Sequence, residues 1–215
     1  MKQSKLILDS ELREVGYLKW KIYSDRLVSF VLLIFFSPLF FIVGICVKLS
    51  NLKAPIFFKQ ERVGKYGERF YMYKFRTMHI DAEEQLEKYL TQNDVQGAMF
   101  KMKDDPRVTS IGRILRKLSL DEFPQLWNVL KGDMFLIGPR PPLPREVEEY
   151  TPYDKQRLTI MPGCTGLWQV SGRNELSFKE MVELDLHYIK NVSLLLDIKI
   201  ISKTVLVLLI PKGAY

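Results

Sequence analysis

The clearest chemical signal in the chain is a pair of adjacent carboxylates, Asp121 and Glu122, set in the otherwise apolar stretch LSLDEFPQLWNVL (118–130). An ionised carboxylate can attack phosphorus without a general base and forms a reactive acyl phosphate. A carboxylate can also hold a hard divalent cation. Adjacent helical residues point about 100° apart, so one acid could face phosphorus while the other holds a metal. The pair also has a purely structural explanation. Ser119, followed three residues later by Glu122, spells a capping box, and Asp121 would favour a helix N-terminus. Pro124 argues for a start nearer Asp121, because five residues into a helix its ring would oppose the Leu120 carbonyl. With that later start the acids sit at the helix mouth, where free N–H groups favour phosphate. Residues 118–130 alone leave capping and chemistry both open.

Basic residues elsewhere add weight to phosphate chemistry. Arg113 and Arg116 lie one helical turn apart and share a face. Arg140 is flanked by Pro139 and Pro141, which restrict the backbone and pre-set the direction of the guanidinium. Lys74 and Arg76 alternate in KFRTM, on one face of a strand. Arginine suits bidentate phosphate contacts. Two acids with several rigidly held bases suggest a diphosphate substrate and a divalent ion. Mg²⁺ is the best match, since it takes one or two carboxylates plus substrate phosphates. The two histidines, His79 and His187, and the two cysteines, Cys46 and Cys164, have no metal-ligand spacing. Nothing suggests a disulfide framework, which points to a reducing compartment.

The elements that must carry these residues begin with an uncharged run, LVSFVLLIFFSPLFFIVGICV (27–47). Twenty-one helical residues rise roughly 30 Å, enough to cross a bilayer. Ser37-Pro38 falls near the centre, where proline removes a backbone hydrogen bond and bends a helix. Both flanks are basic, with six Lys/Arg in 1–26 and eight in 48–76. Such flanks prefer the cytoplasmic side, so a kinked span would export one cluster and a re-entrant hairpin neither. The residues leave both topologies open. Near the C-terminus, LLLDIKIISKTVLVLLI (194–210) gathers Lys199, Ser202 and Lys203 on one helical face. It fits an interfacial helix or one packed on the rest of the domain.

Between these segments, IFFKQERV and RFYMYKFRTM flank GKYG and predict a β-hairpin. Helices are predicted over 81–90, 111–118, from the acidic pair to Leu130, over 145–160 and over 177–190, with loops at 93–110 and 162–173, the latter holding a short strand. The 215 residues are enough for one good-sized core, and the net charge of +7 suits an anionic partner: nucleic acid, a phospholipid surface or a phosphorylated substrate. No recognisable nucleic-acid motif is present, and a basic lipid-binding adaptor without catalysis is the weakest reading. A membrane-anchored, Mg²⁺-dependent phosphohydrolase that activates water with the same residues is a second enzymatic reading.

KFRTM, DPRVTSIGRILRKLSLDEFPQLWNVLKGDMFLIGPRP and PGCTGLWQVSGRNELSF with the following ELDLHYIKNVSLLLDIKI resemble the bacterial sugar transferase family, the monotopic phosphoglycosyl transferases. The likeness runs from about Lys19 to the terminal GAY. It implies transfer of a sugar-1-phosphate from a UDP-sugar to a polyprenyl phosphate such as undecaprenyl phosphate, with release of UMP, as the initiating step of capsule, exopolysaccharide or O-antigen-type glycan synthesis. By this resemblance Asp121 is the nucleophile and Glu122 is tied to Mg²⁺. Arg116 and Arg140 bind phosphate and nucleotide, with Lys74 in the same block, and Ser37-Pro38 breaks a re-entrant helix. The implied fold is a mainly helical α+β monotopic membrane protein with interfacial helices and a small β-hairpin. Its segments are a basic amphipathic stretch at 1–26, a re-entrant helix at 27–49 and a cytosolic domain at 50–215, on the inner membrane of a bacterium. The implied partners are the UDP-sugar, the polyprenyl phosphate and membrane lipids, with no nucleic acid and with homo-oligomerisation left open. Larger members carry further N-terminal helices and another domain, so about 26 residues before the apolar run suggest a minimal form or a piece of a longer chain. GLWQVSGR and GAY look more like the catalytic part of those larger members, in which the sugar is often glucose or galactose.

Overall fold

The computed structural model describes residues 16–89, 102, 104–172 and 176–209. The expectations for residues 1–15, for most of the 93–110 loop and for the terminal GAY lie outside the described residues.

The helices are α1 (Gly16–Phe35), α2 (Ser37–Ser50), α3 (Leu86–Tyr89), α4 (Ser110–Lys117), α5 (Gln125–Lys131), α6 (Pro144–Glu148), α7 (Phe178–Lys190) and α8 (Leu194–Leu209). The strands form two separate pairs. Strands β1 (Phe57–Val63) and β2 (Arg69–Phe75) make an antiparallel hairpin, and β3 (Phe135–Ile137) and β4 (Gly163–Thr165) pair in parallel. The observed architecture is therefore mixed α+β with a small β-hairpin.

The basic residues of 16–26 and the apolar residues of 27–35 form one uninterrupted helix, α1, and the backbone turns only at Phe36. There α1 and α2 are bent by 64°. Ser37 and Pro38 are the first residues of α2, and the Ser37 hydroxyl donates to the Ile34 carbonyl (2.8 Å). The proline thus sits where its missing N–H costs no helical bond. Among the described residues no single helix is long and apolar enough to cross a membrane, but this bent pair meets the criterion of length and apolarity together. At the elbow, Phe36 packs edge-on to Phe123 (5.2 Å between ring centres) and Phe40 lies 5.5 Å from Phe75. Val43 and Val47 join Phe75 and Leu115 in one buried cluster. The main core lies behind, where β3, Ile160 and α7 meet Ile200 of α8.

A buried cation fastens α1 to that core. Lys21 is fully buried, and its Nζ donates to Asp197 Oδ2 of α8 (2.5 Å) and lies 2.9 Å from Asp25 Oδ2. The hydroxyls of Tyr17 and Tyr188 donate to the two oxygens of Asp197 (2.7 and 2.8 Å). Asp25 accepts the Leu136 N–H of β3 (3.0 Å). Nearby, the Ser29 hydroxyl donates to the Leu126 carbonyl of α5 (2.6 Å).

Two expected helices are shorter than their patterns suggest. Of 81–89 only Leu86–Tyr89 is helical; before it the Ala82 carbonyl accepts Arg107 Nη1 (3.2 Å). The expected helix over 145–160 is two pieces, α6 and a 3-10 turn at Asp154–Leu158. Pro152 biases Thr151 away from helical geometry. Thr151 and Asp154 then cap the second piece reciprocally, Thr151 N–H donating to Asp154 Oδ2 (2.9 Å) and Asp154 N–H to Thr151 Oγ1 (3.2 Å). The 177–190 helix is as expected, with a Ser177/Glu180 capping box. The C-terminal helix packs on the rest of the domain along one side and leaves apolar residues exposed on the other. Asp197 and Ile200 are buried against the domain, while Leu195, Ile198 and Leu206 are exposed.

Removing one partner of a buried ion pair leaves an uncompensated charge at a cost of about 3–5 kcal/mol. Asp197→Ala is accordingly expected to lower unfolding stability by about that amount in a denaturant melt of the detergent-solubilised protein, well beyond an exposed control such as Glu183→Ala.

Candidate active site

The acidic pair lies in a 3-10 turn, Leu120–Glu122, between α4 and α5. The expected capping box does not form. Ser119 is left-handed (φ 54°), its side chain caps nothing, and its N–H instead closes α4 on the Arg116 carbonyl (3.0 Å). It is the residue just beyond that helix's C-cap, a position that favours a left-handed conformation, and a non-glycine residue there stores strain immediately before the acids. Pro124 is the N-cap of α5, which starts at Gln125. The helix mouth therefore lies beyond both acids, because the proline supplies the bend that Ser119 was expected to cap. Helix α5 ends at Gly132, whose φ of 90° suits a glycine.

The two acids have different fates. Glu122 Oε1 accepts from Lys74 Nζ at 2.6 Å. Asp121 is 8% exposed, and no Lys, Arg or His nitrogen among the described residues comes within ion-pair distance of its carboxylate. Burial pushes the Asp121 carboxyl up to about 6; Lys74 pulls it down, Glu122 pushes it further up and Arg116 pulls it down. Burial also acts to raise Glu122, but Lys74, Arg140 and Arg62 outweigh it and hold that carboxyl below the usual range. A proton shared by the pair therefore rests on Asp121, and above pH 6 both are ionised.

The acids face a cavity of about 1390 Å³ that Lys74, Arg76, Arg116 and Arg140 also line. Lys74 and Arg76 share the cavity side of the hairpin, opposite Phe58 and just beyond the Phe57–Phe75 pair. Strand β2 is pinned to α5 by Asn128, whose side chain accepts the Tyr73 N–H (3.0 Å) and donates to the Tyr71 carbonyl (2.7 Å). That clamp fixes the distance from Lys74 to Glu122. Arg116 Nε donates to Thr77 Oγ1 (3.0 Å). The reach is short because Gly112 brings α4 against Thr77, where a Cβ would sit 2.1 Å from the Thr77 carbonyl oxygen. Arg140 makes no hydrogen bond or ion pair among the described residues and stays available to an anion. Its loop is held from both sides, Gly163 N–H donating to the Pro139 carbonyl (2.8 Å) and Val63 N–H to the Pro142 carbonyl (2.9 Å). Arg113 is exposed on α4 and is not part of the cavity wall. A turn of separation gives Arg113 and Arg116 a common side of the helix, but Arg113 is exposed to solvent while Arg116 bonds Thr77. Ser37 and Pro38 also stay off the wall; their neighbour Phe36 contributes instead.

Arg62 was not singled out by sequence reasoning. It is buried in β1, donates through Nη1 to the Pro141 carbonyl (3.0 Å) and through Nη2 to Gln60 Oε1 (2.7 Å), and leaves Nε without a partner. Burial lowers its affinity for its proton to about 10, and Arg140 reinforces the shift. The alternation Gln60-x-Arg62 on one face of a predicted strand was the available signal. Arg145 joins the same wall from α6. For Cys164, also on the wall, burial and the nearby Glu122 raise the thiol above its ordinary range, which disfavours the thiolate.

Among the described residues no three His, Cys, Asp or Glu side chains gather to hold a metal ion. Glu122 has one oxygen on Lys74 and one remaining. With Arg62 and Arg140 close by, a bare cation meets repulsion. The donor set, carboxylate oxygen alone, suits a hard ion that arrives with phosphates supplying most of its ligands.

Residues 17–211 match the bacterial sugar transferase family, and the chain belongs to it. It is 52% identical over 161 residues to a galactosyl transferase, CpsE, of Streptococcus agalactiae serotype III, covering 74% of this chain and 36% of that protein. It is 44% identical over 195 residues to the undecaprenyl-phosphate galactose phosphotransferase of Salmonella typhimurium, covering 89% of this chain and 40% of that one. The exopolysaccharide production protein ExoY of Sinorhizobium fredii is 40% identical over 208 residues, covering 95% of this chain and 91% of its own length. The chain thus spans well under half of the first two relatives and nearly all of the third.

Asp121 has a folded-state pKa above its unfolded value, so its contribution to stability is complete below about 4 and is lost as pH rises through about 6. Asp121→Asn removes that loss. The variant's melting temperature is expected to exceed the wild type's at pH 8, with the difference shrinking at pH 4.5; a constant difference across this range would overturn the assignment.

Proposed function

We propose that the protein transfers a hexose-1-phosphate from a UDP-sugar to a polyprenyl phosphate in two half-reactions, with Asp121 as the nucleophile. One observation carries this reading: of two adjacent carboxylates in a cationic cavity, Glu122 is tied to Lys74 while Asp121 is buried and free of any ion pair. The relatives named as an undecaprenyl-phosphate galactose phosphotransferase and a UDP-galactose-lipid carrier transferase support the same chemistry.

In the first half-reaction an Asp121 oxygen attacks the phosphorus that bears the sugar. The bond from that phosphorus to the bridging oxygen breaks, and UMP departs with the bridging oxygen. The sugar phosphate is left as an acyl phosphate on Asp121. In the second, an oxygen of the polyprenyl phosphate attacks the same phosphorus, the acyl oxygen–phosphorus bond breaks, and the Asp121 carboxylate is restored. Arg116 and Arg140 bind the diphosphate charge, and Lys74 holds Glu122 away from Asp121. Arg62 props the Pro141 carbonyl and so aims the Arg140 loop. Were Mg²⁺ bound, the oxygen of Glu122 not engaged by Lys74 would hold it on the protein side, and it would supply neutralisation of phosphate charge.

The bent α1–α2 pair is read as a re-entrant membrane hairpin, with α8 lying at the interface and the catalytic domain on the cytosolic face of a bacterial inner membrane. The exposed apolar residues of both helices and the two basic flanks support this topology.

Incubation with UDP-galactose and Mg²⁺, without lipid, is expected to release one equivalent of UMP and leave a phosphosugar on Asp121 detectable by mass spectrometry. The single-turnover rate is expected to climb about tenfold per pH unit below 6 and level off above it. No adduct, with turnover intact in Asp121→Asn, would sink the covalent step. For topology, cysteines at positions 5 and 68 in a chain otherwise free of cysteine are expected to label from the same side of inverted vesicles; labelling from opposite sides would establish a full span instead.

A further inference from the structure

Lys21–Asp197 and Lys74–Glu122 both join distant segments, and they are built differently. The first is sealed. Lys21 is fully buried, and both Asp197 oxygens also accept tyrosine hydroxyls. The second is open: the Lys74 and Glu122 side chains keep 18% and 34% of their exposure, and both line the cavity. Among the described residues Glu122 Oε1 is the one acceptor bonded to the Lys74 ammonium, which has further N–H donors to give. A pair that serves only to hold segments together depends on further hydrogen bonds to each partner. Lys74 and the Glu122 carboxylate have none among the described residues.

The backbone beneath the pair is fixed. Asn128 clamps Tyr73, the neighbour of Lys74, to α5, and Glu122 lies just ahead of that helix. Movement is left to the lysine side chain, a flexible stem that ends in a compact charge with no fork geometry to satisfy. Arg116, by contrast, is anchored through Nε to Thr77. An ammonium and a divalent cation repel each other, so they compete for one carboxylate. A diphosphate in turn offers the ammonium more negative charge than a carboxylate does. We propose that Lys74 is an exchangeable placeholder on Glu122. It occupies the carboxylate in the free protein, moves to the diphosphate when the nucleotide sugar binds, and so opens Glu122 to the divalent ion that accompanies the diphosphate. This assignment rests on the transferase reading above. It makes nucleotide and metal reinforce each other's binding, as linkage requires in both directions, and it keeps free metal off Glu122 beside the nucleophile.

Equilibrium binding to the full chain in lipid nanodiscs tests the exchange without turnover. Mn²⁺, followed by its EPR signal, stands for Mg²⁺, and UDP for the nucleotide sugar. In Lys74→Met the nucleotide-free affinity for Mn²⁺ is expected to rise by about tenfold or more, while the affinity for UDP in EDTA falls by about fivefold or more. Loss of any positive charge favours a cation, so two controls carry the decision. Arg76→Met, which removes another cavity cation, is expected to leave Mn²⁺ affinity within about twofold of wild type, and on a Glu122→Gln background Lys74→Met is expected to bring no gain. An unchanged Mn²⁺ affinity in Lys74→Met overturns the exchange. So does an equal gain in Arg76→Met, a gain that survives Glu122→Gln, or an unchanged affinity for UDP. Melting curves check folding, and Lys74→Gln, which keeps a hydrogen bond to Glu122 without the charge, is read in place of Lys74→Met where the latter does not fold. Failure of the wild type to form the Asp121 adduct would count against the transferase reading and leaves these binding results to judge Lys74.

Discussion

The arrangement hangs on a charge that has been taken out of water. Lys21 sits without solvent contact between two aspartates, one on its own helix and one on α8. A buried ammonium is tolerated only where its partners hold it closely and are themselves hydrogen-bonded, and here two tyrosine hydroxyls and a β3 N–H complete the set. The requirement leaves little freedom in how α1 crosses the domain. Its apolar continuation then arrives at Phe36 against Phe123, next to the acidic pair. The electrostatic joint thus helps set where the elbow meets the acidic turn.

The candidate site is electrostatically uneven. Arg62, Lys74, Arg140 and Arg145 line one cavity together with Asp121, Glu122 and Glu146. Such an excess in a partly dehydrated cleft raises the affinity for an anion and disfavours a solitary metal ion. It also divides two chemically similar carboxylates. Lys74 captures Glu122, and burial without an ion partner leaves Asp121 less acidic and unencumbered. Adjacent residues acquire opposite character because the 3-10 turn sends them into different surroundings, one toward the hairpin and one toward the cavity floor.

Local pattern carried much of this. The alternation around GKYG suffices for the hairpin, since a strand's two faces repeat every second residue and Gly67 meets the turn's need for a positive φ (88°). Ser177 and Glu180 announce the start of α7 through a contact three residues long. Pattern misled where a distant group competed for the same atoms. Ser119 and Glu122 spell a capping box, yet Glu122 is claimed by Lys74, 48 residues away in sequence, and Ser119 is spent on ending α4. At 81–85 the expected helical turn is absent, and the Ala82 carbonyl there accepts a distant side chain, Arg107. Arg62 went unnoticed because a charged residue in a hairpin strand is ordinarily a solvated one, and its burial comes from the proline loop that folds over it.

The residue types pointed to phosphate chemistry: the acidic pair, the flanking bases and the apolar run with its Ser37-Pro38 break are legible in the sequence, and the family resemblance they carry implied the reaction. Tertiary structure alone decided which acid is free of an ion pair among the described residues and which arginine reaches the cavity. Those outcomes depend on contacts between segments tens to more than a hundred residues apart, Lys21 with Asp197 and Lys74 with Glu122 above all. Sequence spacing governs direction along a helix or strand, but burial and pairing across the chain set the energy of a charge, and that energy assigned the roles.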